Sequence, residues 1–173
     1  MSILTFNPFG LFSYVRSEAR QRIEVRYEQV EEALAEVMNI TPKGIGAFRG
    51  RLRHLRNIGS PRLPKTGSGR AIDYSRQHAL EMLLALELQR LGQTARRAAL
   101  LAGSMVRQTP YGQFHGKDCF VCCQAHSKEY VTAFGLDVFM KMMESAPYTF
   151  LVINISACVR KLETALGNAN SRS

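Results

Sequence analysis

Five side chains that can bind a metal or carry redox chemistry fall within twelve consecutive residues. They are spaced His115-x3-Cys119-x2-Cys122-Cys123-x2-His126. Thiolates and imidazoles are the ligands that zinc prefers, and these separations lie in the range that zinc sites use. One interpretation is therefore a metal site built from Cys119, Cys122 and His126 and completed by His115 or Cys123.

The same segment fits a different interpretation, a buried β-strand. Free cysteine is among the most buried residue types. In a regular strand Cys119 and Cys122 point to opposite faces, and no glycine between them permits a chelating turn. We therefore expect no metal and no cofactor, with a metal- or thiol-responsive regulator kept as an alternative. No Ser/His/Asp or Cys/His set with an orienting partner is recognisable, so the sequence does not predict an enzyme.

A second group of chemically active side chains is basic. The chain carries a net charge of +9, and its sequence pI is about 9.8. Thirteen lysines and arginines but only three acidic residues lie in residues 41–110, a net charge of +10, whereas residues 1–40 carry −2 and residues 111–173 carry +1. A charge kept for solubility would be spread evenly. Its concentration in the middle third predicts a polyanionic partner such as nucleic acid.

The elements that must position these cations begin with a helix that ends in a turn. Apolar residues spaced mostly three and four apart predict a helix over residues 17–38. A helix-turn-helix needs a small residue where the helices cross, a turn residue that tolerates positive φ, and a branched apolar residue that closes the small core. Ala35, Asn39 and Ile45 have this order, at spacings of four and six.

A second helix is predicted over residues 42–57, with Thr41 as N-cap, Pro42 as its first residue and a stop at Gly59. Its predicted buried stripe consists of Ile45, Phe48, Leu52 and Leu55. The predicted outward face consists of Lys43, Ala47, Arg49, Gly50, Arg53 and Arg56. Glycines 44, 46 and 50 each weaken a helix by roughly 1 kcal/mol relative to alanine, but they let its backbone lie close to the edge of a DNA major groove. An ordinary surface helix with solvated arginines is the alternative.

Three further elements complete the basic region. Short extended pieces at residues 62–64 and 70–73 flank a glycine-rich tip and predict a hairpin, or wing, with Lys65 and Arg70 near that tip. A helix over residues 76–91 and another from residue 95 to about 106 follow. The predicted core face of the first of these consists of Leu80, Leu83, Leu84, Leu88 and Leu91.

This layout resembles the DNA-binding domain of the MerR family of winged-helix transcription regulators, over roughly residues 30–105. The resemblance is carried by the turn pattern, the second helix ending in Ile58-Gly59, the wing with Gly69-Arg70 and Tyr74-Ser75, and the leucine-rich helix ending in Leu91-Gly92. It implies a sequence-specific regulator that binds double-stranded DNA as a homodimer and has RNA polymerase as a partner. An architectural, excisionase-like DNA-binding protein shares the winged motif and is the alternative.

The helix-turn-helix motif and the local positive charge assign roles to residues at the DNA. The expected DNA-binding residues are Thr41, Lys43, Ala47, Arg49, Arg53, Arg56, Lys65 and Arg70. Of these, Lys43, Ala47, Arg49 and Arg53 are expected at bases or nearby phosphates, and Arg56, Lys65 and Arg70 at the backbone. The chain departs from the family by having His54-Leu55 in place of aromatic residues, a long preceding helix, and no evident dimerising coiled coil after Val106. The family's mechanism of untwisting a promoter is therefore not carried over.

The fold class predicted for the whole chain is mainly α with small β elements. An N-terminal arm and helix (residues 1–27) precede the winged helix-turn-helix domain (28–107), and a small α+β domain for dimerisation or sensing (112–167) follows. The α+β domain is predicted to contain strands at 119–124, 130–134 and 148–155 and helices at 137–145 and 156–166, with a frayed end after residue 166. No apolar run approaches the roughly 20 residues that a bilayer requires, and no signal peptide is evident. We expect a bacterial, cytoplasmic, nucleoid-associated protein without a membrane partner.

Overall fold

The computed structural model describes residues 25–63, 73–108, 118–124, 130–145 and 150–172. Six α-helices and one three-stranded antiparallel sheet are described in these ranges. The predicted fold class, mainly α with small β elements, is confirmed.

The helix-turn-helix segment consists of α1 (Tyr27–Val37), a 3-10 turn (Pro42–Gly44) and α2 (Ile45–Asn57). Asn39 has the positive φ expected of it, +53°. The Ile40 N–H, just after it, donates to the carbonyl of Ala35 at 2.9 Å, which satisfies one of the last carbonyls of α1. Gly59, at φ +84°, follows α2. The turn and the end of the second helix are therefore as the sequence predicted.

The predicted helix over residues 17–38 is wrong at its start within the described residues. The helix begins at Tyr27, because Arg26 is extended and Val25 forms an antiparallel bridge with Tyr74. The two backbone hydrogen bonds of this bridge measure 2.8 and 3.0 Å. Pairing of Val25 with Tyr74, which is distant in sequence, therefore delays the start of the helix relative to the periodic apolar pattern. Residues 17–24 lie outside the described ranges.

Helices α3 (Arg76–Arg90) and α4 (Ala95–Gln108) pack against each other and support the helix-turn-helix. The Ser75 hydroxyl accepts the His78 N–H at 3.2 Å and caps α3. Gly92, at φ +87°, permits the tight connection to α4. Leu91 was predicted in the core but is 43% exposed, because it caps the end of α3 rather than continuing its buried stripe.

The C-terminal part contains β1 (Cys119–Gln124), β2 (Tyr130–Phe134), α5 (Leu136–Ser145), β3 (Phe150–Asn154) and α6 (Ile155–Arg172). The strand order is β2-β1-β3. One face of the sheet, with Val121, Cys123 and Ile153, joins the helical core. The other face carries Phe120, whose ring stacks on Phe139 of α5 at 4.6 Å between centroids. The sheet therefore lies between the helical core and α5.

The predicted frayed end after residue 166 is wrong, because α6 extends beyond it. The helix continues to Arg172 because Leu166 and Ala169 are buried, and it packs along α1 and α3. The Asn168 side-chain amide donates to the Glu36 carboxylate at 2.8 Å. Packing thus outweighs the weak helix propensity of Gly167 and its polar neighbours. One apolar core runs across the predicted domain boundary and includes side chains of α1, α3 and α6.

Candidate nucleic-acid interface

Helix α2 has one buried side and one basic side. Phe48, Leu52 and Leu55 are fully buried, at the spacing of one helix face, and hold α2 on its neighbours. Ile45, predicted in the same stripe, is partly buried and packs against this core. The exposed side carries cations and no acidic residue. Its charged and titratable residues are Arg49, Arg51, Arg53, His54 and Arg56.

The predicted DNA-contact residues on this side fall into two groups. The Arg49 guanidinium forms a hydrogen-bonded ion pair with Glu31 of α1, which raises the Arg49 pKa. The Arg56 guanidinium lies 4.5 Å from the centre of the Tyr27 ring. Lys43 and Arg53 are exposed and have no hydrogen-bond, ion-pair or ring partner among the described residues. Two cations are therefore held in place by α1, and two are available to a ligand.

The start of the basic side is also exposed. Thr41 and Ala47 both lie at the surface. Thr41 occupies the predicted N-cap position, but its carbonyl accepts the Gly44 N–H at 2.8 Å and its side chain makes no capping bond. The Thr41 hydroxyl is therefore not used to cap the turn. Lys65 and Arg70, the expected wing contacts, lie outside the described residues, as does the tip of the wing.

Two glycines on α2 have no steric role within the chain. A Cβ added to Gly46 or Gly50 would meet nothing within 4 Å, and both residues are exposed. Gly44 is different, since its Cβ would contact Ile40 and Thr41 at 3.5 and 3.6 Å. Because glycine weakens a helix interior, its use at positions 46 and 50 has no explanation in the packing of α2.

A buried carboxylate fixes the chain where it leaves α2. Glu81 of α3 accepts a hydrogen bond from the Ser60 hydroxyl at 3.1 Å. Burial raises the Glu81 pKa, and Ser60, Arg107 and Arg62 oppose that shift. Glu81, Arg62 and Arg107 line a cavity of about 190 Å³ together with Arg96 and Gly103, and the missing side chain of Gly103 leaves room for Glu81. Sequence patterns do not predict this network, because Glu81 is one of only three acidic residues in residues 41–110 and its partner Ser60 is 21 positions away.

The cysteine segment has the opposite character. Cys119, Cys122 and Cys123 are buried in β1. Burial raises the pKa of Cys119 to about 11, and it raises the pKa of Cys122 and Cys123 as well. The register pairs Cys119 with Phe134 and Cys122 with Val131, three positions apart, so the two thiols point to opposite faces.

A metal site therefore has little geometric support. Within the part of the chain that the structure describes, no group of three His, Cys, Asp or Glu side chains is arranged to hold a metal ion. His115 and His126 lie outside that part, so the predicted His115–Cys–His126 set is represented only by its cysteines. High thiol pKa values also disfavour the thiolate, which is the form that binds a metal.

Comparison with known proteins adds no family assignment. No family model matches the chain, and no functionally curated protein matches it significantly. Among the described helices, none is long and apolar enough to span a membrane.

Proposed function

We propose that the protein is a sequence-specific regulator of transcription that binds double-stranded DNA as a homodimer, with α2 as the reading helix and RNA polymerase as a functional partner. The proposal places it with the MerR-like winged-helix proteins, in the nucleoid. The observation that carries it is the basic surface formed by α2 and the turn before it, where Arg53 and Lys43 are exposed and have no partner among the described residues, while the opposite side of α2 is buried in the core.

The rest of the helix-turn-helix supports this assignment. A reading helix must be held rigidly, and Phe48, Leu52 and Leu55 do this from beneath. It must also present arginines to base edges, because arginine pairs bidentately with guanine in the major groove. The ion pair with Glu31 limits the orientations open to Arg49, so its side chain loses less freedom on binding.

The exposed glycines fit the same function. A DNA groove is lined by base edges and phosphates that come close to the backbone of an inserted helix. Gly46 and Gly50 have no side chain to prevent that approach, and no neighbour within the chain requires them. An external partner that approaches the α2 backbone therefore explains two residues that packing does not.

Retardation of DNA fragments at increasing salt tests the proposal. Each phosphate contact releases counterions, so the logarithm of the affinity should fall linearly with the logarithm of salt concentration. Arg53→Gln should weaken specific binding, by about tenfold for a base contact, or reduce the salt slope by about one for a phosphate contact. Arg160→Gln is the matched control, since it removes the same charge from an exposed arginine of α6 that pairs with Asp118.

Two results would count against DNA binding. One is an affinity that does not depend on salt, and the other is an equal loss of affinity in the two variants. Mapping of bound DNA across the genome would then give the recognised site, and promoter fusions to the mapped sites would separate a regulator from an architectural protein.

A further inference from the structure

The cavity of about 190 Å³ beside Glu81 is bordered by three arginines, and we call it the arginine cavity. Arg62 lies in the segment that follows α2, and Arg96 and Arg107 lie on α4. All three are exposed, and none of their side chains has a hydrogen bond, ion pair or ring contact in the described part of the chain. Cations that share one space repel each other, so this arrangement favours an anion between them.

Helix α4 presents one continuous face to the arginine cavity. Arg96, Leu100, Gly103 and Arg107 follow one another at spacings of four, three and four residues, which is the spacing of a single helix face. All four line the arginine cavity. Because Arg62 belongs to a different segment, the arginine cavity has cations on two of its walls.

The inner end of the arginine cavity is formed by Glu81 and Gly103, the two buried residues of its described lining. The Arg107 guanidinium and the Glu81 carboxylate both approach the position of a Cβ on Gly103, at 3.4 and 3.2 Å. The charges of Arg107 and Arg62 oppose the rise in the Glu81 pKa that burial causes, which places both arginines near the inner end. Glu81 accepts the Ser60 hydroxyl but forms no ion pair with either of these described arginines. Their N–H groups therefore remain available to a ligand.

Charge and size select a phosphate group as that ligand. Three arginines and one carboxylate leave a net charge of +2 around the arginine cavity. A phosphomonoester carries about −1.5 to −2 charges at pH 7, whereas each phosphate within a DNA strand carries only about one. Arginine suits phosphate because it donates two parallel N–H bonds to its oxygens. The volume of about 190 Å³ equals that of roughly six water molecules in the liquid, which accommodates one phosphate group but not a nucleotide.

We propose that the arginine cavity binds a free phosphate group, carried by inorganic phosphate or by a small phosphomonoester. Arg62 and Arg107 bind the phosphate oxygens near the inner end, and Arg96 adds its charge from the same face of α4. Ile58 and Leu100, which are 37% and 57% exposed, border the same space and can contact the carbon end of an ester. The inference goes beyond the proposed function and does not depend on it, since none of the described lining residues belongs to α2.

Calorimetric titration with inorganic phosphate, at constant ionic strength in a chloride buffer, tests the site. The full chain should bind one phosphate per chain. Arg107→Gln should lower the affinity at least about tenfold, because it removes charge-assisted hydrogen bonds. Arg107→Lys should lower it less, because lysine keeps the charge but lacks the planar fork. Arg90→Gln is the matched control, since Arg90 is an exposed arginine of α3 outside the described lining, and this variant should bind phosphate as the wild-type chain does.

A change of opposite sign is expected at the inner end. The side chain of Glu81→Gln can still accept the Ser60 hydroxyl, but the negative charge beside the anion is removed. Phosphate should therefore bind about three- to tenfold more tightly, with an unchanged far-ultraviolet circular dichroism spectrum. Absence of saturable phosphate binding by the wild-type chain, or an equal loss of affinity in Arg107→Gln and Arg90→Gln, overturns the inference. So does a folded Glu81→Gln chain that binds phosphate more weakly.

Two further titrations identify the source of the phosphate group. Phenyl phosphate should bind more tightly than inorganic phosphate if the ligand is an ester, and no more tightly if the ligand is phosphate itself. At constant ionic strength, saturating DNA should leave the phosphate affinity unchanged. If DNA instead displaces phosphate, and Arg107→Gln weakens both to the same extent, the arginines bind the DNA backbone and the inference is overturned. A chain that binds phosphate but does not retard DNA would refute the proposed function and leave the phosphate site standing.

Discussion

The cysteine strand β1 and the arginine helix α2 are the two segments whose residue types could carry chemistry, and they differ in their surroundings. Strand β1 is the middle strand of its sheet and its three thiols are buried, so burial raises their pKa. Helix α2 has a similarly buried side, but its charged groups lie on the exposed side. Reactive side chains are available to a ligand only when the fold leaves them exposed, and α2 alone meets that condition.

Substitutions at adjacent residues of α2 should show the largest difference. Leu52 is fully buried, so Leu52→Ala should lower the free energy of unfolding by about 2–5 kcal/mol through lost burial and a cavity. The neighbouring Arg53→Ala should change it by no more than about 0.5 kcal/mol. Urea denaturation measures both. A large loss in Arg53→Ala would mean that this arginine supports the fold and is not free for a ligand.

Thiol alkylation tests whether the cysteines of β1 are unreactive, in contrast to the exposed arginines of α2. At pH 8, a thiol whose pKa is about 11, such as Cys119, has a thiolate fraction on the order of 10²-fold lower than an ordinary cysteine. Its alkylation in the native protein should be slowed at least that much relative to the unfolded chain. Quantitative mass spectrometry of iodoacetamide-treated protein checks this. Rapid native alkylation of Cys119 would revive the thiol-responsive alternative.

Two glycine substitutions separate internal packing from contact with an external partner. Gly50→Ala should raise the free energy of unfolding by about 0.5–1 kcal/mol, because nothing in the chain meets the new methyl group. Gly103→Ala should be less stabilising than Gly50→Ala by about 1 kcal/mol, since the same gain in helix propensity is offset by a Cβ that would lie 3.2 Å from the buried Glu81 carboxylate and 3.4 Å from Arg107. Thermal unfolding measures both changes.

The DNA affinity of the same glycine variants completes the test. Gly50→Ala should bind DNA more weakly than the wild-type chain although it is more stable. If its affinity were unchanged, the glycine would have no role at the DNA.

The smallest expected effect concerns the ion pair between Arg49 and Glu31. Glu31→Gln removes a negative charge beside Arg49 on the DNA-facing surface, and this gain outweighs the lost orientation of Arg49, so DNA affinity should rise by about two- to fivefold, the size of other surface ion-pair effects. Glu36→Gln is the matched control, because Glu36 lies on the same helix but bonds Asn168. Equal effects in a mobility-shift titration would show that only net charge matters.

Much of the local structure follows from neighbouring residues alone. Asn39, Gly59 and Gly92 fixed three helix ends because each tolerates the positive φ that it adopts. The buried stripe of α2 followed from apolar spacing, and the limits of β1 and β2 from short apolar runs between polar ones. Of the predicted DNA residues, those on α2 are exposed as expected, while DNA binding itself stays a prediction.

The tertiary structure determined the features that depend on contacts between residues far apart in the sequence. The bridge between Val25 and Tyr74 holds the chain extended just before α1, so that the helix begins at Tyr27, and burial against α1 extends α6 beyond Gly167. The ion pair between Arg49 and Glu31 and the network around Glu81 likewise join residues separated by 18 and 21 positions. A sequence shows periodicity and turn preferences because these depend on adjacent residues. Burial, pairing and pKa depend on which segments the fold brings together. These long-range contacts determined that the arginines of α2 face solvent and that the cysteines of β1 do not.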